Sequence, residues 1–324
     1  MSLVAGVPGP LIVGIGEALF DRIPGKGDHL GGAPLNFAVH AQQMLSAMPT
    51  AGGRSVLVSR VGDDALGERL LAYLRRFGVE TDAVQTDDDL PTGVVDVLIG
   101  GDGPSYRIRE NAAWDRIAYS DRLDALSESY DAVCFGTLAR RGSVSASTIE
   151  RFVRNGADRG AMRMYDINLR SGATGQDLVV RGLELASIAK MNDEELPVVA
   201  EMIGAEPRDE AGGALAIINA FGLDQLMLTR GARGVIVYTP NETYEGAPSK
   251  ANISAESDAV GAGDSCGAAY VIRTLCGDGA FAAATVANQV GAYVASNPGA
   301  TPLLPEYLFN VESLGETATD PIVP

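Results

Sequence analysis

A carboxylate that directly follows a glycine-rich turn is the part of this chain with the clearest chemical meaning. Residues 258–264 read Asp-Ala-Val-Gly-Ala-Gly-Asp, and the small and apolar residues after them predict a helix. The amides of Gly261, Ala262 and Gly263 would then lie at a helix N-terminus, whose unpaired N–H groups and partial positive charge suit a phosphate. Asp264 adds a group that can take a proton from an alcohol attacking that phosphate. The alternative for this motif alone is an ordinary loop and N-cap before a buried helix.

A second group of residues near the N-terminus has the chemistry to bind a polyol. Gly31 and Gly32 let a polyol approach the backbone, and Asn36, at the start of a predicted helix, offers both a donor and an acceptor to hydroxyl groups. Asp21 can accept two hydroxyl hydrogen bonds through its carboxylate. The alternatives are a turn with an N-cap for the glycines and Asn36, and a solvated turn residue for Asp21.

Short apolar runs alternate with helical patterns along most of the chain. The predicted strands are 11–15, 55–61, 132–135, 162–167, 188–191, 226–229 and 235–238. The predicted helices include 36–48, 65–77, 145–155, 211–221 and 280–296. This alternation predicts an α/β fold with a mostly parallel sheet that is covered on both faces.

Two segments interrupt the alternation, at 17–30 and 92–117. The second contains β-favouring residues on both sides of a turn at 100–103, which predicts a β-hairpin. Strands inserted into an α/β core need a place outside it, so we expect both segments to form a small lid over the site. We expect Trp114, at the end of the hairpin, to anchor the core under the lid rather than stack on a sugar. Residues 1–324 are predicted to form one domain.

Composition and charge exclude several classes of protein. The 324 residues carry a formal net charge of −17, so nucleic acids and anionic membranes are not expected partners. Three cysteines make no disulfide framework and are predicted to be buried thiols. Two histidines make a zinc site or a Ser-His-Asp triad improbable.

The first ten residues lack a basic region, and no long apolar run occurs, which favours a cytoplasmic protein without a signal peptide. The tail 316–324 is expected to be loosely held.

Taken together, the motifs resemble those of the ribokinase-like (PfkB) carbohydrate kinases over nearly the whole chain. Residues 258–264 resemble the D-T-x-G-A-G-D signature, with Ala259 in place of the usual Thr, and 31–38 resemble G-G-x-x-x-N-x-A. The segments 16–21, 110–115 and 166–170 are similar to bacterial fructokinases. The resemblance implies a three-layer α/β/α fold with a mostly parallel central sheet and a small β lid.

The resemblance also implies a nucleotide site. Thr229, Gly231 and Gly234 match a T-x-G-x-x-G loop that contacts the triphosphate of ATP. Asn192 and Glu195 match an N-x-x-E motif that organises Mg²⁺ largely through water, although the same pair can be a capping box at a helix start.

Three more features of that site follow from the resemblance. Lys190 adds a positive charge, and Asn288 is expected near the adenine. A monovalent cation such as K⁺ is expected on the backbone of Asp258 and Val260, although Leu303 stands where ribokinase-type chains carry a Ser.

The function implied is transfer of the γ-phosphoryl group of ATP to a primary hydroxyl of a sugar, with Asp264 as the base. Asp21, Gly31, Gly32, Asn36 and Arg170 are the expected acceptor contacts; Arg107 and Arg109 of the lid are open alternatives to Arg170 for approaching the phosphates or an acidic substrate. Fructose is the first choice of acceptor, while ribose, 2-keto-3-deoxygluconate and nucleosides stay open. A catalytically silent sugar- or nucleotide-binding regulator is the alternative of another class, and a nicotinamide oxidoreductase is a distant third. A homodimer formed through the lid is also expected.

Overall fold

The structure is a computed structural model that describes residues 9–48, 52–100, 103–170, 175–254 and 257–309, and every structural statement below refers to them. The predictions made for the first eight residues, for residues 101–102 of the hairpin turn and for the tail at 316–324 lie outside these ranges.

Thirteen strands form two sheets in the described ranges. They are β1 (Leu11–Ile15), β2 (Leu19–Ile23), β3 (Gly27–Gly31), β4 (Arg54–Gly62), β5 (Val84–Asp87), β6 (Gly93–Gly100), β7 (Gly103–Ile108), β8 (Ala132–Gly136), β9 (Met162–Asp166), β10 (Ile188–Asn192), β11 (Gln225–Thr229), β12 (Val235–Tyr238) and β13 (Thr243–Glu245). The larger sheet has nine strands in the order β13-β12-β11-β10-β9-β8-β1-β4-β5. Its strands from β11 to β5 are parallel, and β12 and β13 add an antiparallel edge. The predicted mostly parallel sheet is confirmed.

Helices cover both faces of this sheet. They are α1 (Ala33–Ala47), α2 (Ala65–Arg76), α3 (Asp121–Ser127), α4 (Ser143–Asn155), α5 (Gln176–Leu185), α6 (Glu195–Met202), α7 (Glu210–Phe221), α8 (Ala262–Leu275) and α9 (Ala280–Ala295). Side chains of β1 alternate between the two layers, because Val13 packs in the core beneath α3 to α7 and Ile12 in the core beneath α1, α8 and α9. The fully buried, apolar strands are what a parallel sheet between two helical layers requires.

The two segments that interrupt the alternation form a separate four-stranded sheet, in the order β3-β2-β6-β7. Strand β2 pairs with β6 in parallel, and each has an antiparallel hairpin partner. The end of the second segment is not a strand, since 113–116 form a short 3-10 turn. Trp114 in that turn is 1% exposed, in agreement with an anchor in the core. The division of the chain into one domain stays a prediction.

Two local predictions were wrong. Helix α1 begins at Ala33 rather than Asn36, because Pro34 suits the first helical turn, where its missing N–H costs no bond. Asn36 therefore lies inside the first turn, and its N–H donates to the Gly32 carbonyl oxygen at 2.9 Å. Cys276 is only half-buried, near the end of α8, whereas Cys134 and Cys266 are buried as expected. None of the helices in the described ranges combines the length and apolar character that crossing a membrane needs.

Candidate active site

A cavity of about 400 Å³ lies where strand ends of the large sheet meet the small sheet. The chain order of the strands reverses between β8 and β1, which is the point where open α/β sheets bind ligands at the carboxyl ends of their strands. Most of its wall comes from residues at or just beyond such strand ends, from the small sheet and from the start of α8: Glu17, Leu19, Asp21, Gly31, Gly32, Asn36, Val95, Tyr106, Ile108, Thr137, Asp166, Asn168, Arg170, Lys190, Asn192, Glu195, Thr229, Val260, Gly261, Gly263 and Asp264.

Asp264 lies in the first turn of α8, as the motif predicted. Gly261 precedes the helix with φ 79°, and a side chain there would collide with the carbonyl oxygen of Ala300, so glycine is required by the turn. The amides of Gly261 and Gly263 have no backbone partner in the described ranges. The Ala262 amide differs from the expectation, because it already donates to the Ala259 carbonyl oxygen at 3.2 Å. Two of the three predicted amides are thus available to an anion.

The carboxylate of Asp264 is oriented by Asn36. The Nδ2 atom of Asn36 donates to Oδ2 of Asp264 at 2.8 Å, so α1 and α8 meet at this bond. Burial raises the pKa of Asp264 to about 6, and the negative charge of Asp166 adds to the rise; Lys190 and the Asn36 hydrogen bond oppose it. A carboxyl whose pKa lies near 6 is ionised at neutral pH and is a stronger proton acceptor than an ordinary aspartate.

A buried ion pair lies beside Asp264. Nζ of Lys190 on β10 donates to Oδ2 of Asp166 at the end of β9 at 2.8 Å, and both side chains are 7% exposed. The negative charges of Asp166 and Asp264 raise the pKa of Lys190 against the opposing effect of burial, so the lysine stays charged. Lys190 therefore supplies a fixed positive charge at the cavity, as the sequence predicted, whereas no role was predicted for its partner Asp166.

Asn192 and Glu195 form the capping box that was one of their two interpretations. Oδ1 of Asn192 accepts from the amide of Glu195 at 2.8 Å, and the Glu195 carboxylate accepts from the amide of Asn192 at 2.9 Å and from that of Leu169 at 2.6 Å. Burial raises the pKa of Glu195. Both residues also line the cavity. The described residues contain no cluster of three or more His, Cys, Asp or Glu side chains that could hold a metal. The oxygen atoms of Asn192 and Glu195 fit a Mg²⁺ ion that is bound mostly by water and phosphate.

The residues predicted to contact the acceptor all line the same cavity. Two close contacts of the backbone require glycine. A Cβ atom on Gly31 would lie 2.5 Å from Oδ2 of Asp21, and a Cβ atom on Gly32 would lie 2.5 Å from the carbonyl oxygen of Glu17. Burial raises the pKa of Asp21, and the charge of Arg170 opposes that rise. Arg170 lines the cavity.

The two lid arginines point to a different surface. Arg107 and Arg109 pair with Asp96 on the small sheet, at 3.3 and 2.8 Å, and do not line the cavity. Of the three arginines considered from the sequence, Arg170 is therefore the one placed to meet a ligand.

Besides Ala262, four predicted residues are not among the cavity lining. Gly231 and Gly234 form the turn between β11 and β12 with positive φ angles. Both amide hydrogens of Asn288 are committed to the carbonyl oxygens of Gly246 and Ala247, and its Oδ1 accepts from the Val235 amide. Asn288 therefore has no free amide hydrogen to donate to adenine, and any contact between them would depend only on Asn288 lying close to the base. The fourth residue, Asp258, accepts from the Val260 amide at 3.0 Å.

Two acids in the cavity were given no role from the sequence, Glu17 and Asp166. Each lies at or just beyond the carboxyl end of a buried strand, β1 and β9 respectively. An acid at the end of an apolar run was the available signal, because parallel strands bring such ends to one edge of the sheet. Asn168 is a third unpredicted residue of the wall, with φ 43° in the left-handed region that asparagine tolerates.

Known proteins are similar in sequence to this chain over most of its length. The model of the family described as "pfkB family carbohydrate kinase" matches residues 23–306. The uncharacterized sugar kinase PH1459 of Pyrococcus horikoshii is 30% identical over 291 residues, which cover 85% of this chain and 84% of that protein. "Probable fructokinase-4" of Arabidopsis thaliana is 28% identical over 320 residues, covering 91% and 94%.

A solved structure has the same fold. The fructokinase of Xylella fastidiosa with bound ATP superimposes with a TM-score of 0.78 at 22% identity, covering 94% of this chain and 99% of that one. The likeness confirms the α/β fold with its mostly parallel sheet and small second sheet.

Proposed function

Because this chain belongs to the pfkB family of carbohydrate kinases, we propose that it transfers the γ-phosphoryl group of ATP to a primary hydroxyl of a sugar, with fructose as the acceptor. The observation that carries the proposal is the first turn of α8. There the Asp264 carboxylate and the free amides of Gly261 and Gly263 line one cavity with hydrogen-bonding groups of the lid. An anion site and a proton acceptor are thus held side by side.

Asp264 is the general base of the proposed reaction. Its carboxylate takes the proton of the acceptor hydroxyl as that oxygen attacks the γ-phosphorus, and the bond from phosphorus to the β,γ-bridging oxygen breaks, so ADP leaves. The amides of Gly261 and Gly263 stabilise negative charge on the transferring group. Asn36 holds the carboxylate in place through the 2.8 Å hydrogen bond. A silent binding protein would not need a carboxylate at its anion site, which favours an enzyme.

The nucleotide is proposed to lie along the ends of β10 and β11. Lys190, Asn192 and Thr229 line that part of the cavity, and the turn Gly231–Gly234 follows Thr229 directly. Glu195 would hold Mg²⁺ through water, and the metal would supply positive charge to the phosphate oxygens of ATP. K⁺ at the backbone of Asp258 and Val260 stays a prediction, as does a homodimer through the lid.

The acceptor is proposed to lie between the lid and Asp264. Asp21 and Asn36 bind its hydroxyl groups, and Gly32, which has no side chain, lets the acceptor approach the backbone closely. Similarity to fructokinases motivates fructose as the first choice. Arg170 in the same wall favours a second candidate, a sugar acid such as 2-keto-3-deoxygluconate, whose carboxylate a guanidinium can bind.

A coupled ADP-release assay over a panel of acceptors tests the proposal. The panel contains fructose, ribose, 2-keto-3-deoxygluconate and a nucleoside, each with Mg²⁺ and with either K⁺ or a bulky organic cation. We expect fructose to have the highest kcat/KM. A higher value for 2-keto-3-deoxygluconate, abolished by Arg170→Ala, would select the sugar-acid candidate. If no alcohol accelerated ADP release, the silent-binder alternative would replace the kinase.

A further inference from the structure

Glu17 is a buried acid in the cavity that the proposed reaction has not used. It follows Gly16 directly after β1, the strand beside which the chain order reverses, and its side chain is 3% exposed. Its Oε2 atom has no hydrogen-bond partner among the residues that the structure describes. An unpaired buried carboxyl oxygen costs free energy unless a ligand or water completes it.

The backbone around Glu17 is held in place from two sides. The hydroxyl of Ser59 donates to the Gly16 carbonyl oxygen at 2.7 Å, and the Gly16 amide donates to the carbonyl oxygen of Val58 at 3.0 Å. On the other side, Gly32 lacks the Cβ atom that would lie 2.5 Å from the Glu17 carbonyl oxygen. A carboxyl on such rigid support is positioned before any ligand arrives.

Charged groups from five elements share the cavity with Glu17. They are Asp21 on β2, Arg170 beyond β9, the Asp166–Lys190 pair of β9 and β10, Glu195 on α6, and Asp264 on α8. Burial raises the pKa of Glu17 to about 7, and the negative charge of Asp264 adds to the rise; the amides of Glu17 and Ala33 and the charge of Arg170 oppose it. Near neutral pH a substantial share of Glu17 is therefore the neutral acid, which can donate a hydrogen bond as well as accept one.

We propose that Glu17 is a specificity residue that donates a hydrogen bond to a hydroxyl of the acceptor other than the one that is phosphorylated. The inference rests on the proposed function, because it requires a polyol in the cavity. Asp21 and Glu17 then have different roles. Asp21 accepts from hydroxyl groups, and the neutral Glu17 donates to one without adding another negative charge beside Asp264 and the incoming phosphates.

Two substitutions separate this role from a structural one. Glu17→Gln keeps the shape and a donor, so its acceptor KM at pH 6.5 should stay within about threefold of the unaltered protein, whereas Glu17→Ala should raise acceptor KM about 10- to 100-fold. KM for ATP should be unchanged in both. Glu68→Gln, an exposed acid in α2, is the matched control and should change neither constant.

Deoxy-sugars provide the readout that a structural role would not move. Each monodeoxy derivative of the best acceptor is tested with the unaltered protein and with Glu17→Ala. The derivative that lacks the contacted hydroxyl should lose about tenfold or more in kcat/KM with the unaltered protein, and much less with the alanine variant. If Glu17→Ala does not fold, the comparison is made with Glu17→Gln across pH. The unaltered protein should then show acceptor KM rising above pH 7, as Glu17 ionises, and the glutamine variant should show no such rise.

The outcomes distinguish this inference from the function beneath it. Equal losses for every deoxy-sugar with and without the Glu17 carboxyl, or the same rise in acceptor KM above pH 7 in the glutamine variant, would overturn the role of Glu17 while leaving the kinase intact. Absence of turnover with all acceptors in the unaltered protein would instead remove the proposed function itself.

Discussion

The floor and the lid wall of the cavity are built in different ways. On the floor, at the ends of β9 and β10 and the start of α8, polar groups already have partners: Lys190 with Asp166, Asn36 with Asp264, and Glu195 with two amides. On the lid wall, the side chain of Asp21 has no hydrogen-bond partner in the described ranges, and Tyr106 is 60% exposed. In the described ranges the charged groups of the floor are thus paired before a ligand binds, although Oδ1 of Asn36 and the amides of Gly261 and Gly263 stay open, whereas the Asp21 carboxylate of the lid wall needs a ligand as its partner.

Burial explains the difference. Charges between the layers of the large sheet lose their hydration and must be paired, because an isolated buried charge is costly. The small sheet has solvent on its outer side, where Asp96 pairs with Arg107 and Arg109, and presents Val95, Tyr106 and Ile108 to the cavity. A fixed polar floor suits phosphoryl transfer, which depends on preorganised charge, and an incomplete wall suits selection of an acceptor.

The largest effect is expected on the floor, at the proposed base. Asp264→Asn keeps the shape but loses the proton acceptor, so kcat should fall about 10²- to 10⁴-fold while KM for ATP changes little. Steady-state kinetics measure both, with the exposed Asp121→Asn as a control. Near-normal turnover of the pure variant would contradict the assignment of Asp264.

Breaking the Lys190–Asp166 ion pair of the floor should lower the stability of the protein as well as its activity. Lys190→Met leaves Asp166 as an uncompensated buried charge, and the free energy of unfolding should fall by about 3–5 kcal/mol. Combining it with Asp166→Asn removes that charge and should restore part of the loss. Chemical denaturation measures both variants. A Lys190→Met protein as stable as the parent would show that water reaches this pair and that the floor is not dry.

Removing a carboxylate from the lid wall should lower only the kcat/KM for the acceptor. Asp21→Ala removes a carboxylate that hydrogen-bonds to no group of the described residues, so acceptor kcat/KM should fall about 10- to 100-fold, the worth of hydrogen bonds to a charged group. The unfolding midpoint and KM for ATP should stay unchanged. A large loss of stability would break the contrast between wall and floor.

Activity should fall in acid because of the floor. The pKa of Asp264 is raised to about 6, so the base is protonated below that pH and kcat/KM should fall about tenfold per unit further down. A pH profile at saturating ATP measures this limb. Activity sustained to pH 4.5 would indicate a different proton acceptor.

The smallest effect is expected on the outer side of the lid. Arg109→Ala breaks an exposed ion pair with Asp96, and such pairs contribute little to stability. Acceptor and ATP constants should stay within about twofold of the parent, and thermal unfolding should be nearly unchanged. A strong rise in acceptor KM would show that the arginine turns inward when the acceptor binds.

Much of the fold could be predicted from the pattern of residues. Apolar runs at β1, β8 and β12 were placed within a residue of their observed ends, because buried parallel strands have a strong compositional signal. The helix α1 starts before its predicted first residue, Asn36, because Pro34 suits the first helical turn. For Asn288, the resemblance indicated a place near adenine, and the sequence carried no sign of the three backbone groups that its amide binds.

The sequence by itself determined the layered α/β fold, the glycine turn before α8 and the presence of Asp264 in the first turn of that helix. Those features depend on local chemistry: apolar periodicity, glycine where φ is positive, and free amides at a helix start. Only the tertiary structure decided that Asn36 bonds to Asp264 across 228 residues of chain. It also decided that Asp166 pairs with Lys190, that Arg170 lines the cavity while Arg109 does not, and that Glu17 is buried with an unpaired oxygen. The partners of a side chain and its burial depend on which strand ends the sheet brings together. The spacing of residues along the sequence does not show which strand ends become neighbours.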